Sequence, residues 1–240
     1  MGKQLIIQRR GKGSPTFRAP THRSIGEIGF RTYDKKEREF VIYGEIKDIV
    51  HDTFHTAPLM IVEYEDNSTA ILPAPEGVRV GQRIMEGAMA NPEVGNVLPL
   101  KYIPDGTKIC NIEINPGDGG KIARASGTYA ILLQKTEKYA IVQLPSKKIR
   151  HINLWSRAII GTVAGGGRTE LPFVKAGNKY YKMSALNRYW PVVSAVCKNA
   201  RDHPFGGKHS RNKGGNVPVP KKGYPLKYGY IGPKRTGKKK

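Results

Sequence analysis

The sequence contains only two cysteines, Cys110 and Cys197, and no Cys-x-x-Cys pair. A disulfide framework is therefore excluded and a zinc site is not indicated, because both need several closely spaced ligands. We expect two reduced, partly buried thiols, since isolated cysteines usually pack as small apolar side chains.

Long apolar segments are also missing. No run approaches the roughly 18 apolar residues of a membrane-spanning helix, and the opening MGKQLIIQRRGKG has no apolar stretch of signal-peptide length. From this we expect a soluble, cytoplasmic protein with no membrane partner. The triplet Asn67-Ser68-Thr69 matches a glycosylation acceptor, but without a secretory route we predict only a turn there.

Sequence signatures of nucleotide-binding enzymes are absent as well. Asn115 stands where a P-loop that ends in Gly-Lys would need its first glycine, and Ile122 stands where it would need Ser or Thr. A dinucleotide-binding Gly-x-Gly-x-x-Gly is also missing, because Thr16 follows Gly11 and Gly13 at the last position. We therefore expect neither a nucleotide-binding loop nor a small-molecule substrate.

Two arrangements of histidine could indicate an enzyme or a metal site. Asp202 precedes His203, with His209 six residues later, and His51 and His55 are four residues apart. A general base also needs a nucleophile or a substrate pocket, and the Gly-rich surroundings of His203 give poor pre-organisation. The segment around His51 reads as a strand and a loop, so a metal pair on one helix face is not expected. We predict no catalytic residue, no metal site and no cofactor.

Acidic residues are few, and the excess of basic residues lies at the two ends. The chain has 19 Asp and Glu against 41 Lys and Arg, a formal net charge of +22, of which residues 1–23 carry +6 and residues 201–240 carry +11. Gly and Pro make up 13 of the last 40 residues. Such ends cannot bury enough apolar surface to fold alone. We expect two basic arms that bind a polyanion, because Lys and Arg release counterions when they neutralise phosphates.

The middle of the chain reads as two series of short strands separated by turns. High Gly and Pro content, 28 and 17 residues, fits this better than a helical bundle. Residues 88–100 are predicted to be a linker or crossover, and residues 180–186 a short helix. The hairpin-like spacing favours two small β-barrels. The predicted strands cover residues 40–52, 59–65, 69–72 and 76–87 in the first series, and 107–114, 128–135, 139–145, 148–154 and 157–163 in the second.

These patterns predict four segments. They are a basic N-terminal arm at 1–35, a first β-barrel at 36–90, a second β-barrel at 91–197 and a basic Gly- and Pro-rich extension at 198–240.

Three segments combine glycine with cations, at 117–124, 165–168 and 175–179. Glycine lets the backbone approach a phosphate and point its N–H groups at it, and the neighbouring Lys or Arg supplies charge. Each segment taken alone is more often an ordinary solvated loop. Three of them beside two basic arms favour RNA binding.

Aromatic residues are interleaved with the cations, and aromatic rings can stack on unpaired bases. We expect those of the body to be core residues and those of the tail to contact RNA. The aromatic residues concerned are Phe17, Phe30, Tyr33, Tyr180, Tyr181, Tyr189, Trp190, Phe205, Tyr224, Tyr228 and Tyr230.

Five segments resemble the large-ribosomal-subunit protein number two family in its archaeal form, and the likeness runs nearly end to end. They are QRRGKGSPTFRAPTHR at 8–23, LPAPEGVRVGQ at 72–82, PGDGGKIARASG at 116–127, GTVAGGGRTELPFVKAGNKYYK at 161–182 and ARDHPFGG at 200–207. The last two are long and specific.

The resemblance implies an OB-fold barrel followed by an SH3-like barrel, with both termini extended into ribosomal RNA. It also implies direct binding to large-subunit rRNA, a C-terminal arm that runs toward the peptidyl transferase region, and contacts with neighbouring ribosomal proteins and with the small subunit at the intersubunit face. Bacterial members carry a second histidine where this chain has Phe205, so no catalytic role is transferred. The family's RNA-contacting positions fall on Lys121, Arg124, Arg168, Lys175, Asn178, Lys179 and Lys182, and its functional C-terminal histidine falls on His203.

The basic arms add further expected RNA contacts. They are Arg9, Arg10, Lys12, Arg18, His22 and Arg23 at the N-terminus, and Lys208, His209, Arg211, Lys213, Lys234 and Arg235 at the C-terminus.

The sequence thus predicts a structural rRNA-binding protein. Two alternatives remain: a free translation factor or nucleic-acid-binding module with an OB-like barrel, and an RNA-processing enzyme that uses Asp202 and His203.

Overall fold

The structure, a computed structural model, describes residues 6–193 and 197–203. In these ranges it contains ten β-strands and two α-helices, so the expectation of a mainly β protein is confirmed. The strands are β1 (Val41–Val50), β2 (Leu59–Tyr64), β3 (Thr69–Pro73), β4 (Arg83–Gly87), β5 (Val97–Pro99), β6 (Lys108–Cys110), β7 (Ala130–Lys135), β8 (Tyr139–Gln143), β9 (Ile149–Asn153) and β10 (Arg157–Ile160). The helices are α1 (Lys35–Glu39) and α2 (Ala176–Ala185), and short 3-10 helices cover Ile6–Arg9, Thr21–Arg23 and Gly166–Thr169.

Strands β1 to β4 form the first β module. β1 pairs antiparallel with β2 and β4, and β2 pairs antiparallel with β3. The β2–β3 turn lies where the sequence predicted it: Asn67 has a φ of +60°, and the Ser68 N–H donates to the Asp66 carboxylate at 3.0 Å. This local hydrogen bond is the reason that Asp and Asn favour turns.

Strands β5 to β10 form the second β module, and β5 lies inside the predicted linker. The three residues of β5 are buried, and they pair antiparallel with β10 and, at Val97, parallel with Glu86 of β4. The linker prediction was wrong here because a three-residue segment that ends in proline shows no strand pattern, whereas pairing on both sides stabilises it. The β4–β5 pairing joins both modules in one sheet of order β3-β2-β1-β4-β5-β10-β6-β7-β8-β9.

Each module has an apolar core of its own. The first core is built on side chains such as Ile46, Met60, Val62, Leu72 and Ile84, and the second on Leu98, Ile109, Leu132, Val142 and Ile152. This agrees with the expectation of two small β units. The first core also takes in Cys110 and Ile159 from β6 and β10, so the second module contributes to the packing of the first.

The two cysteines lie in different environments. Cys110 is buried, and burial raises the pKa of its thiol to about 12. Cys197 is exposed, so the expectation of a partly buried thiol was wrong for this residue.

A buried charged cluster connects the two modules. Arg157, the first residue of β10, is only 1% exposed. Its Nη2 donates to Glu113 at 2.8 Å, and its Nη1 donates to Glu37 at 3.0 Å and to Glu86 at 3.2 Å. These carboxylates come from α1, from β4 and from the segment after β6. One guanidinium therefore holds four parts of the fold together.

The cluster contains more carboxylate than its cations can neutralise. Glu37, Glu86 and Glu113 are fully buried, and besides Arg157 the cluster includes Arg31, whose Nη1 is 3.6 Å from Glu37. Burial, together with the charge of Glu86, raises the pKa of Glu37 to about 8, which favours the protonated acid. Burial opposes the charge on Arg157, but its hydrogen bond to Glu113 and the neighbouring carboxylates still raise its pKa.

The described residues of 1–20 and 173–240 form a compact unit distinct from that of residues 21–172. Its centre is α2, which begins at Ala176, four residues before the predicted helix. The Asn187 side chain donates to the carbonyls of Pro15 and Arg18, each at 2.6 Å, and the Phe17 and Tyr189 rings are 6.1 Å apart. The N-terminal residues thus pack on the segment after α2. The limits of this unit differ from the boundaries at 35 and 197 that the sequence suggested.

Within the ranges that the structure describes, no helix is both long and apolar enough to cross a bilayer.

Candidate nucleic-acid interface

The residues just after the first Gly-cation segment lie against the second segment in the β body. Gly127 lies just after the first segment and has a φ of +71°, and a Cβ placed on it would be 2.4 Å from the Cα of Gly166 in the second segment. Only glycine permits so close an approach of two backbones. Loops that are about forty residues apart in sequence therefore form one surface, which we call the paired-loop surface (residues 117–128 and 165–169).

Arg168 is an exposed cation of the paired-loop surface, and two hydroxyls fix its position. Its Nε donates to the Ser126 hydroxyl at 3.0 Å, and the Ser126 N–H donates in turn to the Thr56 hydroxyl at 3.2 Å. Ser126 is buried, whereas Arg168 is exposed. The Nε of the guanidinium is thus held by a buried residue of the fold, while the rest of the side chain lies in solvent.

Arg124 is the second cation of this surface and is half-buried. Its Nη1 donates to the Gly120 carbonyl at 3.0 Å, which closes the first loop. Burial lowers the pKa of Arg124 from its ordinary value, but a guanidinium stays charged in proteins.

The glycine N–H groups of the first loop do not face outward as the sequence suggested. The N–H groups of Gly117 and Gly119 donate to the two oxygens of the Glu113 carboxylate at 3.2 and 3.1 Å. That prediction was wrong for these two glycines. The Glu113 carboxylate, which belongs to the buried charged cluster, already accepts the hydrogen bonds that a phosphate would need. Side-chain cations, and not backbone N–H groups, are therefore what this loop offers to a phosphate.

Lys121 is exposed and forms an ion pair with Asp118 at 3.2 Å. Burial opposes ionisation of Asp118, but hydrogen bonds from Asn115, Lys121 and Ile114 hold its pKa below the ordinary value. A lysine with a carboxylate partner neutralises a phosphate less effectively than one without, so we expect Lys121 to contribute less than Arg168.

The third Gly-cation segment forms the first turn of α2. Asn178 donates from its side chain to the Phe173 carbonyl at 3.0 Å. The Nζ of Lys179 is 5.8 Å from the Trp190 ring, and that of Lys182 is 5.2 Å from the Phe173 ring. Lys175 precedes the helix and is exposed. The predicted contacts on this segment therefore lie on a helix and not on a loop.

The N-terminal cations are all exposed, and the guanidinium of Arg10 is 5.4 Å from the Phe17 ring. His203 is half-buried, and its backbone N–H donates to the Asn199 carbonyl at 3.0 Å. The remaining predicted contacts, Lys208, His209, Arg211, Lys213, Lys234 and Arg235, lie outside the described residues. The exposed group comprises Arg9, Arg10, Lys12, Arg18, His22 and Arg23.

Sequence reasoning missed the residues that support the paired-loop surface. Thr56 and Ser126 act through hydroxyls, which have no distinctive spacing in a sequence. In the loop that leads to Thr56, the carboxylate of Asp52 is buried. It accepts a hydrogen bond from the Ile25 N–H and pairs with the His55 ring. In the ranges that the structure describes, no three His, Cys, Asp or Glu residues converge as a metal site would require.

Comparison with known proteins identifies the family. The profile described as Ribosomal Proteins L2, RNA binding N-terminal domain, matches residues 3–86, and the profile described as Ribosomal Proteins L2, C-terminal domain, matches residues 93–223. The proteins named Large ribosomal subunit protein uL2 from Nanoarchaeum equitans, Halorubrum lacusprofundi and Methanocaldococcus jannaschii are 50%, 49% and 46% identical to this chain. These alignments cover 100%, 99% and 100% of this chain and 100%, 98% and 100% of the relatives.

These relatives are archaeal and are named as ribosomal proteins, not as enzymes. The two matching domains and the mainly β architecture agree with an OB-fold followed by an SH3-like barrel. The expectation drawn from the five signature segments is thus confirmed: the chain belongs to the uL2 family of large-ribosomal-subunit proteins.

Proposed function

We propose that this chain is a structural constituent of the large ribosomal subunit that binds large-subunit rRNA directly. The observation that carries the proposal is the charge distribution, because residues 1–23 and 201–240 hold +6 and +11 of the +22 net charge. Each Lys or Arg that meets a phosphate releases counterions, which favours binding whatever the base sequence. The match of residues 3–86 to an RNA-binding domain supports the same conclusion.

The β body and the arms have different tasks in this proposal. The paired-loop surface presents Arg124 and Arg168 from a rigid framework, which suits recognition of RNA shape through phosphates and sugars. The arms supply cationic charge between RNA segments that would otherwise repel each other. Further RNA contacts are assigned to the arm residues and to Lys121, Lys175, Asn178, Lys179, Lys182 and His203.

The finer roles follow the family resemblance. We assign to the C-terminal extension a place near the peptidyl transferase region, where its cations would support assembly of that region. Contacts with neighbouring ribosomal proteins, and with the small subunit at the intersubunit face, would support subunit association. In this proposal the protein works in the cytoplasm and needs no cofactor, and Mg²⁺ takes part only as an ion associated with rRNA.

Removal of the C-terminal arm tests the electrostatic part of the proposal. We expect a chain without residues 201–240, which lacks 12 Lys and Arg, to bind large-subunit rRNA more weakly and with a shallower dependence on salt. The slope of log affinity against log salt should decrease by about 0.7–0.9 for each phosphate that the shortened chain no longer neutralises. The measurement is filter binding or fluorescence anisotropy over a salt series, and an unchanged affinity with an unchanged slope would contradict it.

Sedimentation distinguishes a ribosomal constituent from a free translation factor. A structural constituent is expected to co-sediment with large subunits after a high-salt wash, whereas a factor would be released. Single-turnover RNA cleavage by the wild type and by His203→Ala addresses the enzymatic alternative, and we expect no cleavage by either.

Charge reversal on the paired-loop surface tests whether loop geometry matters beyond total charge. We expect Arg168→Glu to weaken rRNA binding far more than Lys147→Glu, by about tenfold or more, since a buried hydroxyl positions Arg168. Lys147 is a matched control, because it is an exposed cation in the β8–β9 turn and the change in net charge is the same. Equal decreases in affinity for the two variants would show that total charge alone decides the binding.

A further inference from the structure

The aromatic residues interleaved with the cations fall into two groups in the structure. Phe30 and Tyr33 cover the buried Arg157, with ring centroids 4.9 and 4.7 Å from its Cζ. Tyr180 and Tyr181 on α2 are instead 51% and 74% exposed. The core prediction was therefore wrong for these two tyrosines, which present large flat rings to solvent.

The exposed tyrosines belong to a cluster of rings bordered by cations. The Tyr180 ring lies 5.7 Å from that of Tyr181, at 79°, and 6.4 Å from that of Trp190. The Nζ of Lys179 is 5.8 Å from the Trp190 ring, and Lys182 follows one turn later on the same helix. We call Tyr180, Tyr181 and Trp190 the α2 aromatic cluster.

The charge around the α2 aromatic cluster is of one sign. Residues 171–193 contain four Lys and Arg and no Asp or Glu, so no carboxylate of this segment competes for Lys179 or Lys182. A surface that combines flat apolar rings with cations fits a ligand that carries flat apolar faces and negative charge. Nucleotides have both, and their bases are free to stack on a protein only where they are unpaired.

We propose that the α2 aromatic cluster binds unpaired nucleotides of RNA, with a base stacked on Tyr181 and the adjoining phosphates beside Lys179 and Lys182. This inference rests on the proposed function, and it deepens it by assigning single-stranded RNA to α2, whereas the paired-loop surface is assigned to phosphates and shape. Tyr181 is the principal stacking residue, because its ring is the most exposed of the cluster, and Tyr180 supports it from the side that faces Trp190.

The test uses the full-length chain and large-subunit rRNA. We expect Tyr181→Ala to weaken binding about tenfold, within a range of about 5- to 150-fold for removal of one stacked base, and to leave the salt slope unchanged. Lys182→Gln should lower the salt slope, because it removes a phosphate contact and not a stack. Tyr181→Phe should bind as the wild type does, since the ring is retained.

The matched control is Tyr139→Ala. Tyr139 is on β8 and is 50% exposed, so the change removes the same side chain from another exposed position, on a strand and not on α2. We expect it to leave rRNA affinity within about twofold of the wild type, and circular dichroism should show that every variant retains its secondary structure.

Three outcomes distinguish failure of the proposed function from failure of this inference. If the unaltered chain does not bind rRNA, the proposed function fails together with this inference. If it binds and Tyr181→Ala binds equally well, this inference alone is overturned. If Tyr181→Leu restores the rRNA affinity that Tyr181→Ala removes, an apolar contact accounts for the binding, and the stacking of a base on Tyr181 is overturned.

Discussion

Replacement of Arg157 by methionine is expected to lower the free energy of unfolding by about 3–5 kcal/mol. Methionine fills much of the same volume but leaves the carboxyl groups of Glu37, Glu86 and Glu113 without their shared cation in a site that water does not reach. Denaturant unfolding followed by tryptophan fluorescence measures the decrease.

The matched control is Arg150→Met, at an exposed position of β9, for which we expect a change within about 0.5 kcal/mol. The destabilisation by Arg157→Met should decrease as the pH falls, because protonation neutralises the carboxyl groups that methionine leaves unpaired. Addition of Glu113→Gln to Arg157→Met should recover part of the stability. Equal stabilities of the Arg157 and Arg150 variants would show that the charged cluster does not connect the modules.

Replacement of Gly127 by alanine is expected to separate the two loops of the paired-loop surface. The added methyl group would lie 2.4 Å from the Gly166 Cα, a backbone atom that cannot move aside without shifting its loop. We expect the overlap to lower the free energy of unfolding by about 1–3 kcal/mol, in addition to the strain of a positive φ. A weaker affinity for rRNA should accompany it, because Arg168 would no longer be held above Ser126.

Gly106→Ala separates steric overlap from backbone strain. Gly106 has a φ of +83°, close to the +71° of Gly127, but a Cβ placed on it meets nothing within 4 Å. This variant should therefore be destabilised by only about 1–2 kcal/mol, the cost of the left-handed conformation for an L-residue, and should keep its affinity for rRNA. If both variants showed the same stability and the same affinity, the contact between the loops would be of no consequence.

The strands could be predicted from the sequence because their signals are local. β2, β3, β7 and β8 combine short apolar runs with turn residues at their ends, and both kinds of signal lie within a few positions. β5 could not be found in this way, because it is stabilised by pairing with β4 and β10, and β10 lies far along the chain.

The buried charged cluster shows a second limit of sequence reasoning. Arg157 stands before the apolar run Ala158–Ile160, a position where a surface charge at the start of a strand is common. Its partners Glu37 and Glu113 are 120 and 44 positions away, so no local pattern connects them. An arginine that opens a fully buried strand is the one signal that could have indicated it.

The prediction of RNA contacts drew partly on the glycines of the Gly-cation segments. Glycine did indicate close backbone approach, but at Gly127 the neighbour is another loop of the protein and not a phosphate. The N–H groups of Gly117 and Gly119 point inward to Glu113. Composition indicates which residue types can contact RNA. Only the fold shows which of their polar groups already form hydrogen bonds within the protein.

The position of Arg157 in the chain has a consequence for synthesis. Glu86 precedes Arg157 by 71 residues and Glu37 precedes it by 120, so both acids leave the translating ribosome well before their counter-ion is made. An N-terminal fragment that ends before β10 has Arg31 beside Glu37 but lacks the guanidinium that donates to Glu86, so Glu86 must stay in water or be buried as a protonated acid. We therefore expect nascent chains to acquire protease resistance in a single late step, once translation has passed β10, and not barrel by barrel.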